Sequence, residues 1–140
     1  MSHTTPCTPA PLPPVDSLSG PALAEAVAVE VMGWHHALVA FGSGRSPRMS
    51  WMGADGGYEC LEKEWAPDCD IANAWQVIQH VREVTGEWIL FAPWKQRFIA
   101  WLQTGCGDPD YGLHAYGDTA PEAISRAALK ALRAQNGGAR

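Results

Sequence analysis

Three basic side chains near the C-terminus, Arg126, Lys130 and Arg133, recur at i, i+4 and i+7, so a helix there carries them on one face. Such a face can neutralise a phosphate-bearing ligand, with arginine supplying bidentate geometry. Glu122, four residues before Arg126, equally suits an ordinary solvated charge ladder. An aromatic platform nearby would favour the ligand. Phe98 and Trp101 lie on a strand expected to run under this helix, with Arg97 beside Phe98. Stacking of a base on such a ring contributes about 1–3 kcal/mol. The candidate ligand-binding set is therefore Arg126, Lys130, Phe98, Arg97 and Trp101.

Catalytic chemistry finds less support. No GxSxG elbow accompanies a histidine base, so nucleophilic hydrolysis lacks its local signature. His35 and His36 are adjacent, and on a helix their side chains would diverge by roughly 100°, which suits one metal ion poorly. Most carboxylates (Asp55, Asp68, Asp70, Asp108, Asp110, Asp118) stand where caps and turns need them. The expectation is a protein without catalytic residues, metal or cofactor. Gly42-Ser43-Gly44-Arg45-Ser46 is glycine-rich and basic but lacks the lysine and the strand-to-helix setting of a phosphate loop.

The elements that must position these residues follow from patterning. Residues 1–20 hold five of the eleven prolines, with Pro11, Pro13 and Pro14 close together, and read as a flexible arm. A first helix over 21–32 carries Leu23, Val27 and Val31, with Trp34 continuing the stripe. Arg48–Met52 reads as a short strand, and the turn at residues 54–58 leads to a second. Asp70 or Asp68 caps a second helix whose face is Ile71, Ala74, Trp75, Ile78 and Val81, ended by Gly86. Two apolar strands, Glu87–Phe91 and Arg97–Leu102, flank a loop containing Pro93, and neither face is polar, as in a sheet covered on both sides. A turn-rich loop spans 105–110, and a last strand 111–116. Thr119-Ala120-Pro121-Glu122 opens the final helix as a capping box, with Ile124, Ala127, Ala128, Ala131 and Leu132 inward. Residues 136–140 read as a tail.

This order predicts one α+β domain over 21–135, mainly antiparallel sheet packed with about three helices. Net charge is −5, so general nucleic-acid binding is not expected. No apolar run is long enough to span a membrane, and the N-terminus has no secretory pattern, which points to the cytoplasm. Four cysteines, Cys7, Cys60, Cys69 and Cys106, are scattered without a CxxC pair and read as free thiols. The seven tryptophans need a core or a binding surface.

Three blocks, taken in order, resemble a known family. Ala28-Val29-Glu30-Val31-Met32-Gly33-Trp34 resembles AEKVMGW of the phage α/β/α sandwich domain. Asp70-Ile71-Ala72-Asn73-Ala74-Trp75 resembles its DIAAAW helix start. Residues 117–129 are similar to its ADTAPxAICRAAL closing helix, with Ser125 where the family often has cysteine. The resemblance spans residues 22–134 and implies an α/β/α sandwich from a phage. In element order and closing helix it extends to phage anti-Thoeris sponge proteins. These bind cyclic ADP-ribose-type signals, in some cases cyclic oligonucleotides, without cleaving them, as homo-oligomers. That likeness implies sequestration of a small nucleotide signal inside the infected host, with Arg126 on phosphate and Lys130 and Phe98 behind it. A module that inhibits a host defence protein by direct contact is the competing expectation.

Overall fold

The computed structural model describes residues 12–103 and 113–137. Helix α1 (Gly20–Ala26) starts with proline in its first turn and widens at once into a π-turn over Val27–Val31. Met32 N donates to Val27 O there, and Leu23, Val27, Ala28 and Val31 are all buried. Gly33, with φ of +73°, reverses the chain as expected. Trp34 then packs on Trp65, ring centroids 4.6 Å apart.

Strands β1 (His35–Val39), β2 (Arg48–Met52) and β3 (Tyr58–Leu61) form an antiparallel sheet in the order β1-β2-β3. The reading from sequence lacked β1. Its residues have no clean alternation, and Leu38, paired with Met49, overhangs the core and is 66% exposed. Placing His35 and His36 on a strand corrects their expected geometry, because neighbours on a strand point to opposite faces. Trp51 anchors this sheet in the core, and the His36 ring stacks on it at 3.7 Å.

Helix α2 (Ile71–Thr85) is capped by Asp70, whose carboxylate accepts from Ala72 N at 2.8 Å, and closed by Gly86 in the left-handed region. Its buried face is Ala74, Val77, Ile78 and Val81, whereas Ile71 and Trp75 are exposed. The expected face is thus rotated, since apolar spacing alone could not tell Trp75 from Val77.

The second sheet, β4 (Ile89–Trp94), β5 (Arg97–Leu102) and β6 (His114–Gly117), is antiparallel in the order β4-β5-β6. Pro93 lies within β4 rather than in a loop, paired with Phe98, and β4 is an edge strand, where proline is tolerated. The last strand begins at His114. The expected turn at 105–110, the start of that strand at 111, Cys7 and Cys106 lie outside the described residues; Cys60 and Cys69 are free thiols.

Helix α3 (Ala120–Gly137) is the hub, packing on all three strands of the second sheet and on α1, α2 and the π-turn. Thr119 Oγ1 accepts from Glu122 N, and Glu122 Oε1 reaches back to Asp118 N at 2.7 Å, so the capping box closes one residue earlier than Thr119. Ala123, Ala127 and Ala128 are fully buried or nearly so, and their small size lets the helix lie close to the sheet. At Gly117 an added Cβ would stand 2.6 Å from Ala123 N, so glycine sets how closely β6 approaches α3. Two antiparallel sheets with three helices make an α+β sandwich. No helix among the described residues is long and apolar enough to cross a membrane.

Candidate functional site

The basic face of α3 is turned toward the chain's own N-terminal segment. Arg126 Nε and Nη2 both donate to Leu18 O, at 3.1 and 2.9 Å, while Nη1 donates to Tyr116 O at 2.8 Å. Lys130 Nζ donates to His114 O at 3.0 Å and pairs with Asp16 at 3.1 Å. Arg133 forms a two-pronged ion pair with Glu30, at 2.8 and 3.0 Å, and donates to Pro13 O. β6 is a sheet edge, so its outward carbonyls have no strand to bond; Arg126 and Lys130 fill that place. Residues 13–18, read from sequence as part of a flexible arm, are held down by these contacts, with Val15 buried.

The five expected residues do not share one cavity. Phe98 stands on the α3 face of β5 with Ala100 and Leu102, packed against the core. Arg97 and Trp101 stand on the other face with Ile99, which is itself buried. Arg126 is only 9% exposed, and its guanidinium nitrogens are occupied by internal partners.

Arg97 does line a cavity. Trp94 pairs with Arg97 across a two-residue turn, Lys95-Gln96, and these four residues with Tyr116 border an open cleft of about 560 Å³. Alternation puts Trp94, Arg97 and Tyr116 on one sheet face. The Arg97 guanidinium lies 5.6 Å over the Tyr116 ring, and its Nε is 3.7 Å from an Asp118 carboxylate oxygen. Trp94 is 43% exposed, leaving ring surface for a partner. Lys95 has φ of +59°, alone among the described non-glycine residues in a left-handed conformation. A tight two-residue hairpin turn demands this conformation at its first position, at a cost of about 1–2 kcal/mol for a residue with a Cβ. Two cations and two aromatic rings against one carboxylate suit an anion that also carries a flat ring.

A second cavity, about 420 Å³, lies between the start of α1 and the segment before α2. Trp51 and Trp65 line it, with Glu25, Glu62 and Asp68 against Lys63. Burial, then Glu122, pushes the Asp68 carboxyl above its ordinary range, against the pull of a backbone hydrogen bond. Three carboxylates to one ammonium disfavour an anion there, whereas the hairpin cleft sets two cations against one carboxylate.

His36 Nε2 is 2.7 Å from Glu62 on the first sheet, and among the described residues no group of three His, Cys, Asp or Glu is placed to hold a metal. The Gly42–Ser46 stretch joins two antiparallel strands as an exposed turn, without the helix that a phosphate loop opens.

Trp94, Lys95, Gln96 and Tyr116 were absent from the sequence-based set. For the first three the signal is an aromatic-basic run, Trp94-Lys95-Gln96-Arg97, which the expected loop around Pro93 hides, whereas Tyr116 joins them only through the pairing of β6 with β5. Comparison with known families matches residues 25–129 to the phage ABA sandwich domain, and with three-quarters of its length covered the chain belongs to that family. No curated protein matches the chain. No solved structure matches it either.

Proposed function

We propose that this phage ABA sandwich protein is a non-catalytic immune-evasion protein, which binds and sequesters a nucleotide second messenger of cyclic ADP-ribose or cyclic oligonucleotide type. It acts as a homo-oligomer in the cytoplasm of the infected host. The observation that carries this reading is the hairpin cleft, where Arg97 lies over Tyr116 beside exposed Trp94 and Lys95. Phosphate meets Lys95 and Arg97, and a base stacks on Trp94 or Tyr116. A non-catalytic role accords with the cleft's lining, which among the described residues pairs no nucleophile with a base.

Calorimetric titration with cyclic ADP-ribose isomers and cyclic di- and trinucleotides tests the proposal. Micromolar binding by one class, weakened at least tenfold in Arg97→Ala, is expected. Silence from every ligand at high micromolar concentration refutes the reading, and unchanged binding in Arg97→Ala refutes the site.

A second reading, direct inhibition of a host defence protein, draws on Ile71 and Trp75, 54% and 50% exposed on one side of α2. Pull-down from host lysate that is lost in Trp75→Glu but kept in Arg97→Ala would favour it.

A further inference from the structure

The carboxylate of Asp118 is hard to explain if the hairpin cleft simply attracts anions. It stands 3.7 Å from Arg97 Nε, 87% exposed, and would repel a bare phosphate seated there. Its position is nonetheless firmly built. Asp118 N donates to Glu122 Oε1, Thr119 caps α3 next to it, and Gly117 before it is pressed against Ala123. A side chain on so constrained a backbone, ending beside the one arginine of the cleft, can be matched by a ligand that carries hydroxyl groups close to its negative charge. A carboxylate only accepts hydrogen bonds, and its oxygens suit ribose hydroxyls, a vicinal pair where the ribose has both free and the 2′-hydroxyl alone in a 3′,5′-linked cyclic oligonucleotide. Nucleotide sites elsewhere read ribose hydroxyls with an acidic side chain in this way.

We infer that Asp118 makes the cleft a ribose-reading site, taking ribonucleotides in preference to deoxyribonucleotides and to inorganic phosphate. The inference rests on the proposed nucleotide cleft. In this arrangement Lys95 and Arg97 hold phosphate, Trp94 or Tyr116 holds the base, and Asp118 accepts from the sugar between them. A deoxy ligand offers this carboxylate no donor, so only the ribonucleotide gains charge-assisted hydrogen bonds from it.

The test is calorimetric titration of the full chain with adenosine 5′-monophosphate, its 2′,3′-dideoxy analogue and inorganic phosphate, on native protein and on Asp118→Ala. The native chain should prefer the ribonucleotide over the dideoxy analogue by about tenfold. Asp118→Ala should erase that preference while binding phosphate at least as well as the native chain. Equal binding of both nucleotides to the native chain overturns the inference alone, as does a preference that persists in Asp118→Ala. No binding of any of these probes overturns the inference, and silence from the cyclic nucleotides as well overturns the cleft itself. Because the native comparison needs no variant, disturbance of the α3 cap by the substitution cannot mask the result.

Discussion

Arg126 grips the carbonyl of Leu18, 108 residues away in the chain, with two of its nitrogens at 3.1 and 2.9 Å. The same guanidinium bonds Tyr116 O on the edge strand, so one side chain joins the N-terminal segment, α3 and the second sheet. Arg126→Met should lower stability by about 3 kcal/mol, because two carbonyls lose charged donors in a nearly closed site. Arg126→Lys should recover less than half of this, since one ammonium cannot reproduce the fork. Thermal melts measure the loss, and limited proteolysis should show cleavage near residue 18 in both variants.

Lys95→Gly should move stability and binding in opposite directions. Glycine relieves the positive φ, raising stability by about 1 kcal/mol, and removes one ammonium from the cleft. A higher melting temperature with weaker nucleotide binding in the same sample is the expected pair of results.

Ser125 is fully buried, and its hydroxyl has no hydrogen-bond partner. Ser125→Cys should stabilise by about 1–2 kcal/mol, because a thiol is cheaper to desolvate than a hydroxyl. Chemical denaturation should show a higher midpoint with an unchanged slope.

Gly117→Ala should destabilise by about 1–3 kcal/mol, as its methyl group would meet the backbone of Ala123 and Glu122 and push α3 off β6. The shift is read by thermal melting, and the backbone amides of β6 and of the α3 turns packed on it should lose hydrogen-exchange protection, as far as His114, which Lys130 holds three residues from Gly117.

Asp68 provides a pH signature. Its carboxyl is raised above 3.8, first by burial and then by Glu122, so the folded chain holds this proton more tightly than the unfolded chain. An acid raised on folding weakens the fold above its folded-state pKa, and the penalty fades as pH falls through that value. Asp68→Asn should therefore raise the melting temperature at pH 7 and give no gain below pH 3.8.

Much of the fold was legible in local signals. The Thr119–Glu122 box, the small inward face of α3, the Asp70 cap and the Gly86 stop each depend on residues within one or two helical turns. β1 was not legible, because an overhanging strand with an exposed Leu38 has no alternation to read. Of the expected α2 face Ala74, Ile78 and Val81 are buried, but Val77 joins them in place of Ile71 and Trp75, since these two share helical spacing with the buried residues and nothing local says which side meets α3.

Thus the sequence by itself determined where helices begin and end, that the chain is α+β, and that a basic ladder with strand aromatics exists. Only the tertiary structure decided what those charges meet. It turned Arg126, Lys130 and Arg133 onto Leu18, His114 and Glu30, and left Arg97 with Trp94, Lys95 and Tyr116 around an open cleft. The physical reason is range: capping and periodicity act over a few residues, whereas the partner of a charged side chain is fixed by whichever distant carbonyl or carboxylate the packed core brings within hydrogen-bond reach.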